Sequence, residues 1–122
     1  MSGLDPYNAD AERSVVGAII CAACLDVTAG HRVLDTVYAT GLEPADFAME
    51  SLGKLYAAIV KQRVAGLPLD PVSLADALDE DGGPIHERAR LEQLAHETVG
   101  FTQAKHWAHI VLRDSRRRRF GG

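Results

Sequence analysis

Glu43-Pro44-Ala45-Asp46-Phe47, then Leu55-Tyr56-Ala57-Ala58-Ile59, then Gly66-Leu67-Pro68-Leu69-Asp70-Pro71-Val72-Ser73-Leu74 is the stretch whose reading decides the fold. Pro44 starts a short turn that inserts Phe47 into a core. The next residues predict a helix over about 50–64, because Leu52, Leu55, Tyr56 and Ile59 fall on one face at helical spacing. Gly66 and Pro68 end it. Asp70-Pro71 then opens another helix, with Asp as N-cap and Pro at the first helical position. Leu74, Ala77 and Leu78 follow at the spacing of a buried stripe.

The same punctuation extends in both directions. Asn8 or Asp10 caps a first helix whose apolar face is Val15, Val16, Ile19, Ile20 and Ala23. Gly17 inside it costs up to ~1 kcal/mol against Ala, which implies a neighbouring helix crossing close to the backbone. Thr28 to Tyr38 is a second helix, with Val33, Leu34, Val37 and Tyr38 on one side and Gly41 as its stop. Asp81-Gly82-Gly83-Pro84 is a break. A fifth helix, about Ile85 to Glu97, buries Leu91, Leu94 and Ala95. Thr102 caps a sixth, which buries Trp107 or Ala108, Ile110 and Val111 and runs into Arg116–Arg119. No sustained period-2 alternation or hairpin dipeptide is present, and there is no internal repeat. The expectation is an all-α fold, a compact orthogonal bundle of about six short helices.

At 122 residues, with 47% hydrophobic and 25% charged residues, the chain has the size and balance of one globular domain with its own core. No apolar stretch reaches the ~18 residues that a spanning helix needs. The opening Met-Ser-Gly-Leu-Asp-Pro lacks the basic and apolar segments of a signal peptide, so the cytoplasm is the expected compartment. The net charge of −4 conceals an asymmetry. Residues 1–112 carry 8 Lys and Arg against 16 Asp and Glu, a balance of −8, whereas residues 113–122 carry five Arg against one Asp, a balance of +4. An acidic body repels phosphate backbones, so only the tail is suited to nucleic acid.

No motif yields a reactive centre. Cys21-Ala22-Ala23-Cys24 has C-x-x-C spacing but falls at the apolar C-terminal end of a helix, away from a dipole that lowers a thiol pKa. No second cysteine or histidine pair completes a zinc set. Two small core cysteines are expected. Gly53-Lys54 lacks the phosphate-binding pattern, with Ala48 where the first Gly belongs and Leu55 where the magnesium-binding hydroxyl belongs. His106 and His109 share a helix face without carboxylate partners, and His96 and Glu97 read as ordinary helix surface. Asp76, Asp79, Glu80 and Asp81 form an acidic cluster at a helix end, where carboxylates oppose the dipole. It reads as a solvated loop or as a match for a basic partner. Arg116, Arg117, Arg118 and Arg119 cover all sides of a helix, so most are expected to find no partner within the domain. They mark either a solvated helix end or a contact for nucleic acid or an acidic partner.

Taken with Pro6, Ala11-Glu12 and Ser14-Val15-Val16-Gly17, the opening stretch resembles the N-terminal domain of DnaB-type bacterial replicative helicases over about residues 5–119. Residues 1–4 and 120–122 are then flexible termini. The matching positions Ala11, Glu12, Gly17, Phe47, Tyr56, Ile59, Pro68, Asp70 and Leu74 read as core or caps. The resemblance implies a non-catalytic collar domain that oligomerises on a helicase ring and docks primase or a helicase loader. ATP and magnesium would belong to a C-terminal motor, and no cofactor or membrane contact is implied for this chain. Three departures stand out. Leu52-Gly53 replaces a His-Arg pair common in the family, the link from Cys21 to Gly41 is longer than usual, and the second helix of the family's dimer-forming hairpin does not follow by Gly122.

Two further readings compete: a stand-alone regulator that mimics the collar, and a small DNA-binding protein that uses its Arg tail. The stripe of Trp107, Ile110 and Val111 is the expected oligomer or partner interface. With its hairpin mate missing, residues Ser115 to Gly122 are expected to fray and self-association to be weak.

Overall fold

A computed structural model describes residues 8–80, 88–98 and 100–120. Over these residues the chain forms six α-helices and one 3-10 turn, with no strand. They are α1 (Ala9–Leu25), α2 (Val27–Tyr38), the turn η1 (Pro44–Asp46), α3 (Glu50–Val64), α4 (Pro71–Glu80), α5 (Arg88–Glu97) and α6 (Ala104–Phe120).

Helix α1 is the axis. Its residues from Ala11 to Ala23 are apolar on most sides, so it can satisfy its surface only by being surrounded. It packs against α2, α3, α5 and α6. Asn8 caps it, its Oδ1 accepting the Ala11 N–H at 3.0 Å. Gly17 marks the crossing with α5. A Cβ there would overlap Thr98 Oγ1 and lie 2.6 Å from the Leu94 carbonyl oxygen, so only glycine lets the two helices meet. The crossing expected from sequence is therefore present, and α5 is the helix that makes it.

Helix α2 begins one residue earlier than expected. Asp26, in extended backbone, ends α1 and caps α2, its Oδ1 accepting the Ala29 N–H at 2.7 Å. Helix α3 has the expected bounds. Helix α4 is opened by Asp70, whose Oδ2 accepts the N–H groups of Val72 and Ser73 at 3.1 and 3.3 Å, with Pro71 at the first helical position. The expected Asp81–Pro84 break and the first turn of the expected fifth helix lie outside the described residues. Helix α6 starts at Ala104, two residues beyond Thr102. The Ala104 N–H bonds to the Phe101 carbonyl and the Trp107 N–H to Gln103, so Gln103 takes the capping position expected for Thr102.

Phe47, Tyr56, Ile59, Leu74 and Leu94 share one core with Val15, Val16, Ile19 and Ile20 of α1. Phe47 and Tyr56 pack ring to ring, 5.3 Å between centroids at 40°. The Tyr56 hydroxyl donates to the Leu42 carbonyl at 3.0 Å, and burial, reinforced by Glu43, holds that phenol far above its usual pKa. Leu52 and Gly53 both face inward. A Cβ at Gly53 would approach the Pro44 carbonyl oxygen to 2.7 Å. Of the pair that departs from the family pattern, Gly53 thus seats α3 on η1 and Leu52 is buried.

Candidate interaction surfaces

The turn at 43–49 is held by two buried carboxylates, 1% and 3% exposed. Glu12 reaches across from α1 and accepts the N–H of Met49 at 3.0 Å on Oε1 and of Ala48 at 2.9 Å on Oε2. Asp46 closes its own turn by accepting the Glu43 N–H at 2.7 Å on Oδ2. Its other oxygen accepts the Ser115 hydroxyl at 2.6 Å and the Arg119 guanidinium at 2.9 Å. The Asp46 carbonyl accepts a third α6 donor, Arg118, at 2.6 Å. This hub joins the Pro-x-Asp-Phe turn to the far end of α6.

The hub corrects two expectations about the tail. The arginines do find partners: Arg118 and Arg119 turn inward onto Asp46, and Arg117 lies 3.9 Å from the buried carboxylate of Asp114. Helix α6 also runs unbroken through Ser115, which is buried, to Phe120, against the expected fraying from Ser115 to Gly122, of which Gly121 and Gly122 lie outside the described residues. Arg116 is exposed and has no ion pair among the described residues.

The expected interface stripe splits. Val111 lies in the core, with Ala104, Ala108 and Leu112 on the same inward face of α6. Trp107 and Ile110 are half-buried against that core and flank the outward face. The cysteines are not core residues: Cys21 is half-buried and Cys24 exposed, both as free thiols. Partial burial, with Cys21 next in effect, raises the Cys24 thiol pKa, which makes it a poorer nucleophile. The core reading failed because it assumed that the apolar face of α1 continues to its last turn, where the chain already turns outward into α2.

His106, His109 and Asp76 are exposed, and among the described residues no group of three or more His, Cys, Asp or Glu is placed to hold a metal. Lys54 pairs with Glu50 one turn away at 3.2 Å, inside a helix that offers no phosphate cradle. A surface feature that sequence reading missed is an apolar cleft of about 340 Å³ between α2 and α3, lined by Leu34, Tyr38, Val60 and Val64. The Asp35–Arg63 pair borders it, two parallel hydrogen bonds of 3.0 Å. The arginine holds the Asp35 carboxyl below its usual pKa. Val64, 84% exposed, was the available signal: an apolar residue at the end of α3 that no stripe explains.

A six-helix domain wrapped around one buried central helix is the class that this fold defines. The family model described as the DnaB-like helicase N-terminal domain matches residues 4–113, and the chain belongs to that family. Among solved structures, it is similar to the N-terminal domain of DnaB helicase from Mycobacterium tuberculosis. That match has a TM-score of 0.81 at 27% identity and covers 97% of this chain and 80% of the other. A comparison with curated protein sequences finds no match. Among the described residues no helix is long and apolar enough to cross a membrane.

Proposed function

We propose that this domain is a non-catalytic assembly module of a replicative helicase in the cytoplasm. It self-associates as part of a collar and docks primase or a helicase loader. ATP and magnesium chemistry belongs, on this reading, to a separate motor domain. The observation that carries it is the pairing of family membership with the margin of α6, where Trp107 and Ile110 remain half-exposed beside the buried Ala104, Ala108, Val111 and Leu112. A half-covered Trp beside an aliphatic residue is the kind of anchor on which interfaces concentrate their energy.

Sedimentation of the chain across a concentration series tests the reading. A concentration-dependent dimer that weakens at least about tenfold in Trp107→Ala supports it, since hot-spot truncation costs about 2 kcal/mol or more and about 1.4 kcal/mol is tenfold. A strict monomer at millimolar concentration removes the collar role. Failure of both primase and loader to bind the chain, with the dimer intact, removes docking and leaves assembly.

A further inference from the structure

Helix α6 divides its charged residues between two faces. Arg118 and Arg119 point inward to Asp46. Lys105, His106, His109, Arg113, Arg116, Arg117 and Phe120 are all exposed. At 3.6 residues per turn these seven fall within about a third of the helix circumference, in a row about 22 Å long. Four are fixed cations and none is an acid. Asp114, buried at the row's edge, lies 3.2 Å from Arg113 and 3.9 Å from Arg117, so one carboxylate offsets part of four charges and leaves a local balance of +3. Residues 1–112 carry −8, which makes this row the basic exception on an acidic protein.

Phe120 sits within the cationic row and is 85% exposed. An exposed aromatic ring beside cations can stack on a planar partner. Guanidinium groups in line match successive phosphates, and an aromatic face beside them offers a base a stacking platform. We infer that the outward face of α6, through Arg113, Arg116, Arg117 and Phe120, binds single-stranded nucleic acid along its phosphate backbone, with Phe120 stacking on a base. The row adjoins the Trp107–Ile110 margin but is carried by different side chains, so the inference goes beyond the assembly reading and does not depend on it.

The test is fluorescence anisotropy of the whole chain with a labelled oligothymidylate of about 15 nucleotides. About three phosphate contacts predict that affinity falls about 20-fold between about 50 and 200 mM salt. Arg116→Gln, which removes a side chain with no ion pair among the described residues, should weaken binding about fivefold at unchanged melting temperature. Phe120→Ala should weaken it about tenfold. The triple change Arg113→Gln, Arg116→Gln and Arg117→Gln should abolish it. Absence of binding at low salt overturns the inference, as does an Arg116→Gln variant that binds like the parent. Equal binding of polyglutamate of matched charge assigns the face to an acidic protein instead. Unchanged affinity in Phe120→Ala removes the stacking contact.

Discussion

Two charged ties hold different parts of this molecule, and they differ in depth more than in chemistry. At the 43–49 turn, the carboxylates of Glu12 and Asp46 are buried, and each accepts two or more hydrogen bonds, although the Arg119 donor keeps 55% of its side chain exposed. At the α2–α3 edge, Asp35 and Arg63 make two hydrogen bonds of similar length, yet their side chains are 55% and 38% exposed. Breaking the first tie removes a buried acceptor from partly buried backbone donors. Breaking the second returns its donors to solvent. The same count of bonds therefore implies unequal stakes.

The largest effect should come from Glu12→Ala. It leaves the N–H groups of Ala48 and Met49 without an acceptor and opens space in the core, a cost of about 3 kcal/mol in urea unfolding. Glu12→Gln keeps one amide oxygen as an acceptor and should cost less. Near-neutral Glu12→Ala would erase the distinction between the two regions, because it would mean that water reaches the turn. Asp46→Ala belongs to the same class, with an added local signature. Hydrogen exchange should quicken from Ser115 to Phe120, whose hold on the body runs through Asp46.

These ties also show what was legible in the chain. Helix α3 and the Asp70-Pro71 start of α4 were readable because both rest on signals within one or two turns: a stripe, a cap, a proline. Gly17 pointed to a close crossing for the same reason. The pairing of Asp46 with Ser115 and Arg119 spans 69 and 73 residues, and no local pattern names a partner at that distance. A quartet of arginines consequently read as unpaired. The α2–α3 cleft was hard to read because the α2 stripe predicts burial of Tyr38, and only the packing shows that Tyr38 joins Val64, which no stripe covers, beyond the core's edge.

Ser115→Ala narrows the first tie to one bond. The hydroxyl is buried and donates to Asp46 at 2.6 Å, while Asp46 keeps Arg119 and the Glu43 N–H. With the acceptor still served, the loss should be about 1 kcal/mol, as for a single hydrogen bond. A loss as large as that of Asp46→Ala would place most of the hub's energy in the serine contact, and the arginine would then be ornamental to stability.

The smallest effect belongs to the exposed pair, and its sign with pH is fixed. Hydrogen bonding from Arg63 lowers the Asp35 pKa below the ordinary 3.8 in the folded protein, so in acid the unfolded chain binds the proton more readily. The pair's contribution is fully present above the unfolded value and fades as pH falls through 3.8 and on through the lower folded value. Below both, it is gone. Because the side chains are largely in water, that contribution should stay under about 1 kcal/mol, even for a two-bond guanidinium–carboxylate geometry. Asp35→Asn should therefore fall slightly behind the parent at neutral pH, and the gap should narrow as pH falls below 3.8. Urea unfolding of both proteins at pH 3 and pH 7 (about 1 M salt as a third arm) measures this. Salt should shrink the gap at pH 7. A gap that is large, insensitive to salt and undiminished in acid would mean that Asp35 stabilises the α2–α3 edge by packing, and that the edge is as dry as the turn.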